Sequence, residues 1–142
     1  MSSANTKIVQ DLYAAFKRRD LPAVLGGLAA DVSWGMVGRE QDLPMAGIRH
    51  GKAGAGDFFR IMAGTLDMTA FEPLTFHAVD DKAFVAGRWS WVMRNNGCPG
   101  ENEWLHVFTF RDGKVTHYRG YNDTAQLAAA YRAAPVKQAA NG

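Results

Sequence analysis

The chain has 142 residues, and its 16 basic and 14 acidic side chains give a formal net charge of +2. This length suits one domain with one hydrophobic core, expected to span 1–142 with an ordered part of about 5–134. Because the charge is nearly balanced and no run of five basic residues occurs, binding to nucleic acid or to an acidic membrane surface is not favoured.

Disulfide-stapled and membrane-spanning proteins are also excluded by the sequence. Cys98 is the only cysteine, so no internal disulfide can form. No apolar run reaches the roughly 18 residues that a membrane span requires. The first residues lack a basic segment followed by an apolar stretch, so no signal peptide is predicted and a cytoplasmic location is expected.

Two helices are predicted near the start of the chain. The first begins at Asn5 or Thr6, either of which can act as an N-cap, and apolar side chains then recur with helical spacing. Basic residues at 17–19 close this helix with the charge that the helix dipole favours. A short second helix is predicted after Asp20, a candidate N-cap, with Pro22 in its first turn.

A third helix is predicted over 51–64 despite its internal glycines, and a fourth over 123–134. In the fourth, Asp123 and Gln126 have the spacing of a capping box, and Pro135 ends the helix. Alternating apolar and polar residues predict strands over 32–37, 71–79, 83–94, 101–110 and 114–121. Helices and strands are grouped separately along the chain, which indicates the α+β class.

A long segment, 38–50, joins the first strand to the third helix. Segments of this length without secondary structure in small domains are often functional lids. An ordinary surface connection explains it equally well, so both interpretations stay open.

The last two strands form a predicted hairpin around Asp112-Gly113, a strong turn signal between alternating runs. One face of this hairpin carries large aromatic side chains and a single histidine. Its members are Trp104, His106, Phe108, Phe110, Tyr118, Gly120 and Asn122. Such a face is either a dense core or the wall of a pocket.

The chain resembles the nuclear-transport-factor-2-like superfamily, and within it the SnoaL-like branch of polyketide cyclases and relatives of ketosteroid isomerase. The resemblance covers nearly all of 7–134. It is carried by LAADVSW at 28–34, LPMAG at 43–47, HGK at 50–52, WLHVFTFRDGKV at 104–115 and RGYNDT at 119–124.

The resemblance implies a cone-shaped, strongly curved mixed sheet wrapped around three to four helices, with a small hydrophobic molecule bound in the cone. It also implies a homodimer formed through the convex face of the sheet, where Arg119 is expected to face the partner. The expected ligand-binding residues are Phe16, Trp34, Met36, Phe59, Trp89, Trp91, Trp104, Phe108, Tyr118 and Asn122.

His106 is the leading candidate for catalysis, because its position resembles that of an oxyanion-stabilising acid in ketosteroid isomerase. An imidazole among aromatic rings favours its neutral form, which donates one hydrogen bond and accepts another. That suits acid–base work on a carbonyl or an epoxide. Tyr13 resembles the hydrogen-bond donor on the first helix of those isomerases. The alternatives are a core histidine without a catalytic role and a tyrosine that only packs.

The chain departs from both enzyme types at their acidic residues. The proton-shuttling aspartate of the isomerase falls near Gly35 or Met36, and Gly120 stands where an epoxide hydrolase of this fold has an aspartate. Neither glycine nor methionine can accept a proton. Asp42 could swing over the opening of the cone, whereas Asp57 is expected on a helix surface.

No motif for a cofactor or a metal is found. The four histidines lack close metal-ligand spacing, and no glycine-rich phosphate loop follows a strand. The sequence therefore predicts a cofactor-independent enzyme of isomerase, cyclase or epoxide-hydrolase type that acts on a small ring-containing substrate. The alternatives are a non-catalytic protein that binds a hydrophobic metabolite, and a structural dimer whose cone is filled by its own side chains.

Overall fold

The computed structural model describes residues 2–136, and side chains from residue 4 onward. The helices of this part of the chain are α1 (Ser2–Lys17), α2 (Leu21–Gly26), α3 (Gly51–Thr65) and α4 (Thr124–Arg132). The strands are β1 (Leu28–Met36), β2 (Gly47–His50), β3 (Leu66–Val79), β4 (Lys82–Met93), β5 (Pro99–Arg111) and β6 (Lys114–Asn122). None of these helices is long and apolar enough to cross a bilayer.

The strands form one six-stranded sheet in the order β2-β1-β6-β5-β4-β3. Strands β1 and β6 pair in parallel, and all other neighbours are antiparallel, so the sheet is mixed. Register shifts in the β3–β4 and β5–β6 pairings mark irregular pairing of the kind that bends strands. The sheet is curved and unclosed around the helices, which confirms the predicted α+β class and cone-shaped architecture.

Alternation along the strands decides which side chains enter the interior. In β1, Val32, Trp34 and Met36 are buried, as expected for one face of a strand. In β4, burial alternates in the same way from Ala83 to Met93. The buried face of the sheet and the apolar sides of the helices form one continuous core.

Two predicted N-caps are confirmed. The Asp20 carboxylate accepts a hydrogen bond from the Ala23 backbone N–H at 3.1 Å. The Asp123 carboxylate accepts one from the Gln126 N–H at 3.0 Å. The reciprocal half of the capping box is absent, because the Gln126 side chain donates to the carbonyl of Glu101 instead.

The start of α1 was predicted wrongly. The helix begins at Ser2 and not at residue 5 or 6. The Asn5 side chain does not cap the helix; it donates to the carbonyl of Asp80 in the β3–β4 turn. A residue type suited to capping therefore serves as a contact between distant parts of the chain.

The segment 38–50 contains a strand that the sequence did not predict. Strand β2 pairs with β1, with Gly35 opposite Ile48 and Ser33 opposite His50. Its four residues are too few for an alternation pattern to be read. The preceding turns are anchored, because Leu43 and Met45 are almost fully buried.

Candidate functional site

An apolar cavity of about 70 Å³ lies between the helices and the concave face of the sheet. Eleven of the twelve predicted site residues line it. They are Tyr13, Phe16, Trp34, Met36, Phe59, Trp89, Trp104, His106, Phe108, Tyr118 and Asn122. The aromatic face of the predicted hairpin therefore borders a void.

Trp91 is the exception, because it is the one predicted ligand-binding residue that does not line the cavity. Its side chain is 1% exposed and does not line the cavity. The indole covers Gly100 on β5, where a β-carbon would lie 2.5 Å from Cζ2 of Trp91. Trp91 shares the inward face of β4 with Trp89. It lies two residues further along the strand, where its indole packs against Gly100 of β5 in the solid core.

Seven further residues of the described chain complete the lining and were not predicted from the sequence. They are Leu12, Val24, Phe58, Met62, Met68, Phe71 and Gly120. Four of these residues lie on the apolar faces of helices: Leu12, Val24, Phe58 and Met62. That pattern predicted that they are buried, but it could not predict a void beside them. Met68 was missed because β3 begins five residues earlier than predicted.

His106 and Tyr13, which both line the cavity, form a part-buried hydrogen bond with each other. Tyr13 Oη lies 2.7 Å from His106 Nδ1. Burial lowers the pKa of His106 to about 3, so its imidazole is neutral near pH 7. Burial, and secondarily the neighbouring Tyr118, raise the pKa of Tyr13 well above its usual value, so its phenol stays protonated.

These protonation states fix the direction of the hydrogen bond. A buried phenol requires an acceptor, and Nδ1 of His106 is the one acceptor that Tyr13 Oη reaches within the described residues. Nδ1 therefore accepts, and the single proton of the imidazole lies on Nε2. Within residues 4–136, Nε2 makes no hydrogen bond, which leaves an N–H donor on a residue that borders the cavity.

Stacked rings hold the imidazole in place. Trp104, two residues earlier on β5, stacks on His106 with centroids 3.9 Å apart and planes 15° apart. Phe71 stacks on Trp104 at 5.0 Å. On the neighbouring strands, Trp34 of β1 and Tyr118 of β6 stack at 3.9 Å.

Three polar atoms of the lining residues are buried without a hydrogen-bond partner in the described part of the chain. They are Nε1 of Trp34, Nε1 of Trp104 and Oδ1 of Asn122. A buried polar atom without a partner is costly, by about 1–3 kcal/mol. The two indole N–H groups can donate to oxygen atoms of a bound molecule, and Oδ1 of Asn122 can accept from a hydroxyl group of that molecule.

Carboxylates are missing from the described lining, whose titratable groups are Tyr13, His106 and Tyr118. Asp42 does not reach the cavity, because Arg39 binds it at 2.9 Å and lowers the pKa of its carboxyl. Asp57 pairs with Arg60 on the surface of α3, as predicted. No residue of 38–50 lines the cavity, so no contact supports the interpretation of this segment as a lid.

A wider groove of about 570 Å³ adjoins the cavity on its helical side. The groove and the cavity share six lining residues: Phe16, Val24, Phe59, Met62, Met68 and Phe71. The groove and the cavity therefore adjoin between α1, α2, α3 and the start of β3, and not beside segment 38–50.

The model of the SnoaL-like domain family matches residues 9–118 of this chain. A search of the curated proteins finds none that matches.

Among solved structures, an NTF2-like protein of unknown function from Burkholderia pseudomallei is 28% identical, with a TM-score of 0.84 over 92% of this chain and 98% of that chain. An NTF2-like protein from Burkholderia xenovorans is 29% identical, with a TM-score of 0.84 over 93% and 98%. TerC, co-crystallised with polyporic acid, is 26% identical, with a TM-score of 0.81 over 92% and 99%.

Proposed function

Because the chain belongs to the SnoaL-like family of the NTF2-like superfamily, we propose that it binds a small ring-containing molecule in the aromatic cavity and acts on it without a cofactor. An isomerase or cyclase reaction at a carbonyl group is the best-supported chemistry. The observation that carries this proposal is the Tyr13–His106 hydrogen bond, which leaves the Nε2–H of a neutral imidazole beside the cavity.

The chemistry follows from the protonation states. In the proposed reaction, a solvent water molecule accepts the proton from the carbon next to the carbonyl, because no carboxylate of the described lining is available to do so. Nε2–H of His106 donates to the carbonyl oxygen of the substrate, and this bond strengthens as negative charge develops on that oxygen. Because the pKa of His106 is about 3, an imidazolium is not the donor near pH 7. Tyr13 orients the ring through Nδ1 and does not itself touch the carbonyl in this scheme.

The epoxide-hydrolase alternative is less well supported. That chemistry needs a group that activates water, and no carboxylate belongs to the described lining. The free donor on His106 suits stabilisation of an oxyanion better than removal of a proton from water.

A binding protein without catalysis is the second candidate, and the same missing carboxylate favours it. A proton removed from carbon needs an acceptor, and the two tyrosines with raised pKa values are poor ones. The three indole rings and five phenyl rings that line the cavity with this imidazole would still clamp a planar ligand. TerC was co-crystallised with polyporic acid, which makes that compound a suitable first probe for this chain.

Hydrogen–deuterium exchange separates the two candidates. A panel of cyclic ketones is incubated with the protein in D₂O, and deuterium uptake next to the carbonyl is measured by mass spectrometry. The enzyme proposal expects uptake that falls at least about tenfold in His106→Gln, a loss of roughly 1.4 kcal/mol of transition-state stabilisation. Trp91→Phe, outside the cavity, is the matched control.

The two candidates give opposite outcomes. If His106→Gln exchanges deuterium at the wild-type rate, the role assigned to His106 is wrong. If the wild-type protein binds polyporic acid but catalyses no exchange in any ketone, the binding protein is the better description.

We also propose that the chain forms a homodimer through the convex face of the sheet. Leu105 and Tyr121 are cross-strand partners on β5 and β6, and both are about two-fifths exposed, at 40% and 43%. Adjacent exposed apolar side chains in the middle of a sheet favour a covering partner. Arg119 was expected to face that partner, but its guanidinium donates to the backbone and hydroxyl oxygens of Ser33.

A further inference from the structure

The aromatic cavity alone is too small for the ligand that the proposed function requires. Its volume is about 70 Å³, whereas a dry cavity that holds one benzene measures about 150 Å³. A ring-containing molecule that reaches His106 must therefore extend into the adjoining groove of about 570 Å³. The rings of Phe16, Phe59 and Phe71 line both spaces and lie at the junction.

The groove differs from the cavity in its charge. Its lining includes four cationic side chains, Lys17, Arg19, Arg60 and Arg94, and only two carboxylates, Asp20 and Asp67. The cavity lining described above has no charged group near pH 7. A molecule that fills both spaces thus has an apolar end inside and meets a net positive surface outside.

The two carboxylates are already engaged. Asp20 accepts from the backbone N–H of Ala23 and pairs with Arg18 at 3.3 Å. Asp67 lies 3.9 Å from Arg94. They therefore do little to neutralise the other cations of the groove.

Of the four cations that line the groove, Lys17 and Arg19 are the two that remain available to a ligand. Arg60 is paired with Asp57, and Arg94 donates to the carbonyl of Ala63 at 2.7 Å. For Lys17 and Arg19, no ion pair occurs within residues 4–136. Both lie where α1 ends, beside Phe16, which reaches the cavity.

We propose that the groove is a subsite for an anionic group, such as a carboxylate or a sulfonate, carried by the ligand whose ring enters the cavity. Lys17 and Arg19 attract this group, and the phenylalanine rings at the junction separate it from the apolar end. The proposal rests on the proposed function, because it assumes that the cavity receives the ring. It specifies the ligand class as an amphipathic, acidic, ring-containing molecule.

A matched pair of fluorescent probes tests the subsite. 1-Anilinonaphthalene-8-sulfonate and N-phenyl-1-naphthylamine share one ring system and differ by a sulfonate, and both brighten in apolar sites. Affinities are measured by titration at low and high NaCl. The variant is Lys17→Gln/Arg19→Gln, and the control is Lys52→Gln/Arg132→Gln, which changes the net charge equally at exposed positions outside the groove.

The subsite predicts a selective loss. Lys17→Gln/Arg19→Gln weakens the sulfonate probe about threefold to tenfold at low salt, as expected for partly exposed charge pairs, and leaves the neutral probe unchanged. High salt removes the difference, because it screens exposed charges. The control variant keeps both wild-type affinities.

Other results overturn the subsite or the cavity separately. If the variant and the control weaken the sulfonate probe equally, or if both probes respond alike, the anionic subsite is wrong. Val24→Phe, which fills the space at the junction, reports on the cavity. If it leaves the neutral probe unaffected while the sulfonate probe still depends on Lys17 and Arg19, the subsite stands and the cavity proposal fails. If neither probe binds the wild-type protein, both fail.

Discussion

Because Gly120 has no side chain, the hydroxyl group of Tyr118 can occupy the space next to its α-carbon. A β-carbon placed on Gly120 would lie 2.6 Å from Oη of Tyr118 and 3.5 Å from Cδ2 of His106. Gly120 is also the cross-strand partner of His106. The missing side chain at position 120 therefore leaves room for a phenolic hydroxyl close to the imidazole, with Tyr118 on β6 and His106 on β5 both facing inward.

Gly120→Ala should destabilise the protein by about 1–2 kcal/mol. The added methyl group meets the Tyr118 hydroxyl, and the Tyr118 ring cannot move freely because it stacks on Trp34. In a Tyr118→Phe background the cost should be smaller. Urea unfolding measures both values, with Gly64→Ala as control, since nothing lies within 4 Å of its added β-carbon. Equal costs in the two backgrounds would contradict this account.

Stability should depend on pH through His106. Its pKa is about 3 in the folded chain and 6.5 ordinarily, so between these values the unfolded chain binds a proton that the folded chain does not. The free energy of unfolding therefore falls as pH falls through this window, by up to about 1.4 kcal/mol per pH unit.

The matching measurement is urea unfolding of wild type and His106→Gln at several pH values from 7 to about 4. The other histidines are common to both proteins, so the difference in slope reports on position 106 alone. The variant should lose less stability on acidification. Parallel curves would show that His106 is not buried in its neutral form.

Tyr13→Phe should cost about 1–2 kcal/mol, because it leaves Nδ1 of His106 without its donor. In ¹⁵N NMR, the wild-type imidazole should show the proton on Nε2, and the variant should populate both tautomers. Tyr131→Phe is the control, since its hydroxyl makes no hydrogen bond within residues 4–136. An unchanged tautomer in Tyr13→Phe would mean that another contact orients the ring.

The proposed dimer predicts that Leu105→Asp lowers the particle mass by half, as measured by light scattering after size exclusion. A charge in a covered apolar interface is costly, whereas one on a free surface is not. Val79→Asp introduces the same charge at an exposed position at the end of β3. If both variants keep the wild-type mass, the convex face around Leu105 is not the interface.

Strand faces were the most predictable part of the structure. Alternation in β4 and β5 placed Trp89, Trp104 and His106 on one inward face, because side chains of a strand point to opposite sides in turn. That rule gives the side of the sheet that a side chain faces, but it does not show which residues along the strand border the cavity. Trp91 obeys it and is still outside the cavity, because its indole packs against Gly100 on β5.

Contacts between residues that are far apart in the chain could not be predicted from the sequence. Nothing local shows that Tyr13 on α1 meets His106 on β5, although the family resemblance suggested both residues. The groove at the end of α1 was missed for a related reason. Its four cationic side chains come from four separate segments, namely α1, the turn after it, α3 and the turn after β4. From the sequence alone, Lys17 and Arg19 indicated only a favourable helix end.

The parallel pairing of β1 with β6 has a consequence for how the chain is made. Trp34 can stack on Tyr118 only after the second of them has emerged from the ribosome, long after the first. Until then the aromatic rings of the amino-terminal half lack the strand that covers them. The nascent polypeptide is thus exposed to aggregation for most of translation, and expression at reduced temperature or with added chaperones should raise its yield.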